Sequence, residues 1–152
     1  MAEKLGENIE IWGFTCLLHD LDIEITNANP KVHGLKTAEL LREYSINAEI
    51  IDAIELHNEE ATHVPRTKKL HYALAAGETI TGLIFATTYV YPSKKIADLK
   101  PISVVKRMKE KHFAASVKRD NILECEKIGI PIDEFAAICV EAMKKISSEI
   151  GL

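Results

Sequence analysis

The run Leu17-Leu18-His19-Asp20-Leu21-Asp22 sets an imidazole beside a carboxylate at the end of an apolar stretch that also holds Trp12, Phe14 and Cys16. Polar groups in such a setting must find partners or destabilise the fold. A divalent metal ion is one partner, because neutral imidazole and carboxylate both ligate it well. The competing reading is a helix end with a solvated His and Asp. Glu78 is the second chemically pointed residue, being the only formally charged side chain between Lys69 and Lys94. A helix that apolar is buried nearly all round. Its carboxylate must then be paired, bound to a cation, or protonated with a raised pKa. A hydrogen bond to a buried hydroxyl or imidazole is the plain alternative.

His57 follows Ile50 by seven residues and Ile54 by three, on the inward line of a helix. A single His there is ordinarily a satisfied core residue. His33 opens a helix just after a loop, where ligands are often carried, unless it is a simple solvent-facing terminus. Lys36, one turn further on, and Arg66, in the loop before the Glu78 helix, could meet an anionic substrate, although such charges are commonly just solvated. His63, His71 and His112 read as surface or packing residues. Cys16 is close to His19 but lies in an apolar segment, where a thiol is normally inert. No G-x-S-x-G and no phosphate-cradling glycine loop is present.

The elements that must position these side chains read as helices. Ile11, Phe14, Leu18 and Leu21 recur at helical steps over Glu7 to Leu21, with Trp12 widening the inward face. Residues 23–31 form a loop with Asn27, Asn29 and Pro30 as breakers. Helical period returns from His33 to Tyr44, and Asn47 caps a helix from Ala48 to about Asn58. A polar loop carries Pro65, and a long helix runs from about Lys68 to Val90. The Thr87–Tyr91 patch is β-branched but continues the stripe of Leu83 and Ala86. Pro101 suits the first turn of the next helix, to Lys111. Helices over Arg119–Ile128 and Asp133–Ile150 follow, the last with Phe135, Ile138, Cys139, Ala142 and Ile146 inward. The class is all-α, about seven helices in one domain over residues 1–152.

Length and composition agree with an ordinary globular chain of 152 residues. A formal charge of -4 gives no reason to expect nucleic acid as a partner. Three cysteines without C-x-x-C spacing fit a reducing compartment, so a cytoplasmic setting is expected. No secretory signal follows Met1, and the uncharged run from Thr79 to Ser93 is too short for a membrane span.

Four segments together resemble the HD-domain family of metal-dependent phosphohydrolases. These are Leu17–Asp22, Val32-His33-Gly34 leading into Ala38–Leu41, Ala53–Asn58, and Ala75–Ile84 with its Thr-Gly-Leu-Ile-like run. The resemblance implies an all-helical fold around a divalent metal, and water attack on a phosphoester, often of a nucleotide. It makes His19 and Asp20 ligands, and places Glu78 where the family has a late Asp. His33 and His57 match positions that bind a second metal or line the pocket. Asp20 and Asp22 become the candidate catalytic carboxylates, Asp20 as a general base and Asp22 as polar support. The metal is Mn, Co, Ni, Zn, Fe or Mg without distinction.

Two departures stand out. The family's first His lies on a helix upstream of the His-Asp pair, whereas none of the 18 residues before His19 is a His. The late Asp is Glu78, one methylene longer. A truncated chain or a degraded site would explain the first. The leading expectation is a phosphohydrolase acting on a small phosphoester. The alternative is a catalytically silent scaffold that binds a nucleotide or a protein, with an apolar groove that would favour homo-oligomers.

Overall fold

A computed structural model describes residues 1–151. Among them are α-helices and short 3-10 turns but no strand, so the all-α expectation holds. Contacts group the chain into two compact units, one of Met1–Ala75 and one from Ala76 onward.

The first unit begins with the short α1 (Ala2–Leu5) and α2 (Ile9–Leu18). The side chain of Asn8 caps α2 by accepting from the backbone N–H of Glu10 and Ile11 at 2.9 and 3.1 Å. A run of turns leads to α3 (Leu35–Glu43), and Asn47 caps α4 (Ala48–His57) through the N–H of Glu49. These caps satisfy backbone donors that would otherwise be orphaned. The single-turn α5 (Glu59–Thr62) interrupts the loop expected there, and α6 (Lys69–Val90) follows.

The core of this unit is Ala38 and Leu41 of α3, Ile50, Ile51 and Ile54 of α4, and Leu74 of α6, with Ile11, Leu18 and Ile46 packed against it. α4 touches both α2 and α3. It is tied to α6 as well. Buried His71 donates from Nε2 to Asp52 at 2.7 Å, while its Nδ1 faces the N–H groups of Thr67 and Lys68. Burial pushes the Asp52 carboxyl up, but hydrogen bonds from Lys68 and His71 outweigh it and hold the group below its usual value.

The inward face of α2 differs from expectation. Trp12 and Thr15 are buried, but Phe14 is 54% exposed, and Leu21 lies beyond the helix end and is 49% exposed. Apolar residues occupy every side of α2, so periodicity cannot select a face. The neighbouring α4 selects it instead.

In the second unit α6 continues to Val90, and the Thr87 and Thr88 hydroxyls donate back to the carbonyls of Leu83 and Ile84. That absorbs the β-branched patch into the helix. A 3-10 turn (Ile96–Asp98), α7 (Pro101–Met108), α8 (Arg119–Leu123) with a 3-10 continuation (Glu124–Ile128), and α9 (Ile132–Lys145) complete it. α9 buries Phe135, Ala136, Val140 and Met143, and α7 packs against it. Ala142 and Ile146, expected inward, are exposed, and the helix ends at Lys145. Among the described residues, α6 alone is long and apolar enough to cross a membrane, and half of that stretch is buried within the fold.

Replacing Ile54, which is fully buried, by Ala should cost about 2–5 kcal/mol in urea unfolding. Phe14→Ala should change stability by less than about 1 kcal/mol. A large Phe14 effect would return α2 to the face its periodicity suggested.

Candidate metal centre

The first unit by itself brings His19, Asp20, Asp22, His33 and His57 together. His19 is the residue that ends α2, and His57 closes α4. His33 stands at the end of the turn region, one residue before Gly34, which caps α3.

Each of the three imidazoles is fixed through Nδ1. His19 Nδ1 lies 2.8 Å from the carbonyl of Cys16, and His57 Nδ1 lies 2.5 Å from that of Ile54. Carbonyls only accept, so both Nδ1 atoms carry the hydrogen. His33 Nδ1 donates to Asp22 Oδ1 at 2.6 Å. In the neutral rings all three Nε2 atoms are therefore lone-pair acceptors. They face one another and Asp20. His33 Nε2 is 3.2 Å from His57 Nε2 and 3.1 Å from Asp20 Oδ1, and His19 Nε2 is 3.3 Å from Asp20 Oδ2. The His57 ring meets the other two edge-on, with centroids 5.4 Å from His19 and 5.0 Å from His33.

Acceptors turned toward acceptors repel unless a cation lies among them. A proton within the cluster meets part of that need. A metal ion meets all of it, and protons then compete with metal for the same lone pairs. The spacings suit a metal, since atoms bound at about 2.1 Å and 90–109° apart are separated by roughly 3.0–3.4 Å. Asp20, His33 and His57 each offer one ligand atom within 4.8 Å of the others. The donor set of imidazole and carboxylate fits a divalent cation.

Burial is the main cause that pulls the His57 pKa down to about 4, with His19 and His33 adding to it. The Ile54 bond and Asp20 oppose it without prevailing. His57 is thus neutral and ligand-ready near pH 7. Burial pushes the Asp22 carboxyl up, but His33 and the N–H groups of Gly34 and Thr37 outweigh it and hold Asp22 below its ordinary value. Asp22 Oδ2 accepts from those two N–H groups at 2.8 and 3.1 Å, and its side chain is fully buried. It stands behind His33, not among the lone pairs.

Three supporting residues were not apparent from the sequence. Gly34 has φ +88°, and a Cβ there would lie 2.8 Å from His57 Cε1. The Asn58 amide donates to the carbonyls of Pro30 and His33 at 2.7 and 2.9 Å, clamping the His33 loop to the end of α4. The Thr37 hydroxyl accepts from the Asp22 N–H at 3.1 Å. Their signals were present: a glycine directly after a candidate ligand, and Asn and Thr at helix ends, where both serve as caps.

Arg66, expected near substrate, is 8% exposed and donates to the carbonyls of His57 and Leu56 and to Glu59. It closes the C-terminus of α4. Lys36 lies on α3 and pairs with Glu39 at 2.6 Å. Glu78 lies on α6 in the second unit, partly buried, with its Oε1 accepting from the Thr79 hydroxyl at 3.2 Å. The Cys16 thiol is pushed up from its ordinary value by desolvation, and the residue serves His19 through its carbonyl.

The HD domain family model matches residues 1–85, more than half of the chain, and the chain belongs to that family. The match covers α1 to α5 and most of α6. HD domains are in general metal-dependent phosphohydrolases and typically bind divalent metals. No curated protein and no solved structure matches the chain.

The fold favours neutral His57, so in chelator its contribution is complete above pH 6.5 and is lost as pH falls from 6.5 toward 4. Roughly 3 kcal/mol should disappear over that window, read as a falling urea midpoint. Asp22 acts in the same direction, its contribution being lost as pH falls through its depressed pKa. His57→Gln should flatten the upper window, and an unchanged profile would refute the assignment. Gly34→Ala should cost about 2 kcal/mol or more in the same assay, because both backbone strain and contact with His57 oppose it.

Proposed function

We propose that this protein is a metal-dependent phosphohydrolase whose divalent cation is held by Asp20, His33 and His57, with His19 at the same focus. The observation that carries this reading is the convergence of fixed Nε2 lone pairs on the Asp20 carboxylate. A divalent cation bound there supplies Lewis acidity toward a phosphoryl oxygen and acidifies water. Asp20, with half of its side-chain surface in solvent, is the one carboxylate of the cluster placed to take a proton as general base. Asp22 acts through His33, accepting from its Nδ1–H and so fixing the ring in the tautomer that aims the Nε2 lone pair at the cluster. Lys36 can exchange Glu39 for a substrate phosphate. Arg66 secures the carbonyl end of α4 and with it the His57 backbone. The sequence adds Glu78 as a further candidate ligand.

A second reading, a catalytically silent scaffold, is favoured by the exposure of Ile9, Phe14 and Leu17 on α2, at 61%, 54% and 73%. Such apolar surface suits association.

The test is turnover of a panel of phosphomonoesters, nucleotides and phosphodiesters with Mn²⁺, Co²⁺, Ni²⁺ or Zn²⁺ added in turn. Asp20→Asn should lower kcat at least about 100-fold. Asp22→Asn should weaken metal affinity about 10–100-fold. Lys36→Ala should raise KM with kcat little changed. Glu78→Gln is read by metal affinity alone. Stoichiometric metal without turnover of any substrate would select the scaffold instead.

A further inference from the structure

The formal charge of -4 averages over a chain whose charges are segregated. Between Lys94 and Arg119 stand nine Lys and Arg side chains against Asp98 and Glu110, a net +7 within 26 residues. The other 126 residues carry ten basic and twenty-one acidic side chains. The basic segment belongs to the second unit, as the 3-10 turn, α7 and the turns before α8. All seven of its lysines are exposed.

The segment is braced from within. Arg119 donates to the carbonyls of Ala114 and Val117 at 2.6 and 2.7 Å and also to that of Phe113, closing the turn that follows α7. Arg107 lies 4.3 Å over the Phe113 ring and pairs with Glu110. The two arginines hold the frame while the lysines stay in solvent. A cavity of about 260 Å³ opens between the end of α6 and α7, lined in part by Tyr91, Ser103, Lys106 and Arg107. Tyr91, partly buried just past the end of α6, is the one aromatic ring in that lining.

Like charges this dense repel one another, so a counter-charge of similar extent is the natural complement. A phosphodiester chain supplies evenly spaced negative charge. An aromatic ring beside a basic surface suits an unpaired base, which stacks on it regardless of sequence. We propose that the Lys94–Arg119 segment, with Tyr91 at the end of α6, is a binding surface for single-stranded nucleic acid. The surface owes nothing to the metal centre, and the net charge of the whole chain hides the segregation on which it rests.

The test is fluorescence anisotropy with labelled single-stranded RNA and DNA of about 20 nucleotides, in chelator and at about 50 mM salt. Chelation separates the outcome from any failure of the hydrolase reading. Micromolar binding is expected, with log affinity falling against log salt at a slope of about -2 to -4. Lys106→Glu, Lys109→Glu and Lys111→Glu together should weaken binding at least about tenfold and flatten the slope by about 2. Tyr91→Ala should weaken it about tenfold at unchanged slope. Lys144→Glu, on α9, should leave it within about twofold. Thermal melting verifies that the triple variant folds, and the corresponding Gln variants replace it if it does not. No binding at about 100 μM protein would overturn the proposal, as would equal loss in Lys144→Glu. Equal affinity for duplex, or binding to phosphatidylserine vesicles but not to oligonucleotides, would do the same.

Discussion

A carboxylate with no access to water organises the first unit. Asp22 is fully buried, and a buried anion is tolerated only when its acceptor sites are filled. They are filled by His33 Nδ1 and by the N–H groups of Gly34 and Thr37. The Thr37 hydroxyl returns a bond to the Asp22 N–H. The pair forms a reciprocal cap across 15 residues, in which a residue from the preceding turns starts α3. One ionised group thus sets the beginning of a helix, the path of the turn region and the tautomer of a candidate ligand. Truncating it would release all three at once, because the partners form a network and not a set of separate bonds.

α4 plays the corresponding part in packing. Its apolar line of Ile50, Ile51 and Ile54 supplies half of the buried local core, and its last residue is His57. Arg66 and Asn58 fasten that end from two sides, one to the carbonyls of α4 and the other to the His33 loop. Rigid helix ends thus aim His19 and His57, and the turn region that carries Asp20, Asp22 and His33 is shaped around them.

Much of this was legible in the residues. Helix positions followed from strong periodicity and from caps such as Asn47, and the four segments shared with HD domains pointed to the histidines that the fold gathers. The face of α2 was not legible, because Ile9, Ile11, Trp12, Phe14 and Leu17 together place apolar surface on every side and only a tertiary partner can choose among them. Long-range polar contacts were also hidden. Nothing in local spacing says that Asp22 reaches Thr37, that Asn58 reaches Pro30, or that Arg66 turns back to the end of α4. The crowding of Gly34 against His57 likewise exists only once two distant segments meet. The basic segment was fully visible as a string of residues, and it was lost by summing charge over the whole chain.

The two helix-end histidines have a consequence of their own. His19 and His57 each lean on a carbonyl three residues back, one of the last-turn carbonyls that a helix leaves without an internal partner. With their rings 5.4 Å apart, the C-terminal ends of α2 and α4 come together at one place. The backbone dipoles of both helices therefore present partial negative charge there, before any side chain is counted. The scaffold itself makes this corner attractive to a cation, so the side chains need only select among positive ions that the main chain has already drawn in.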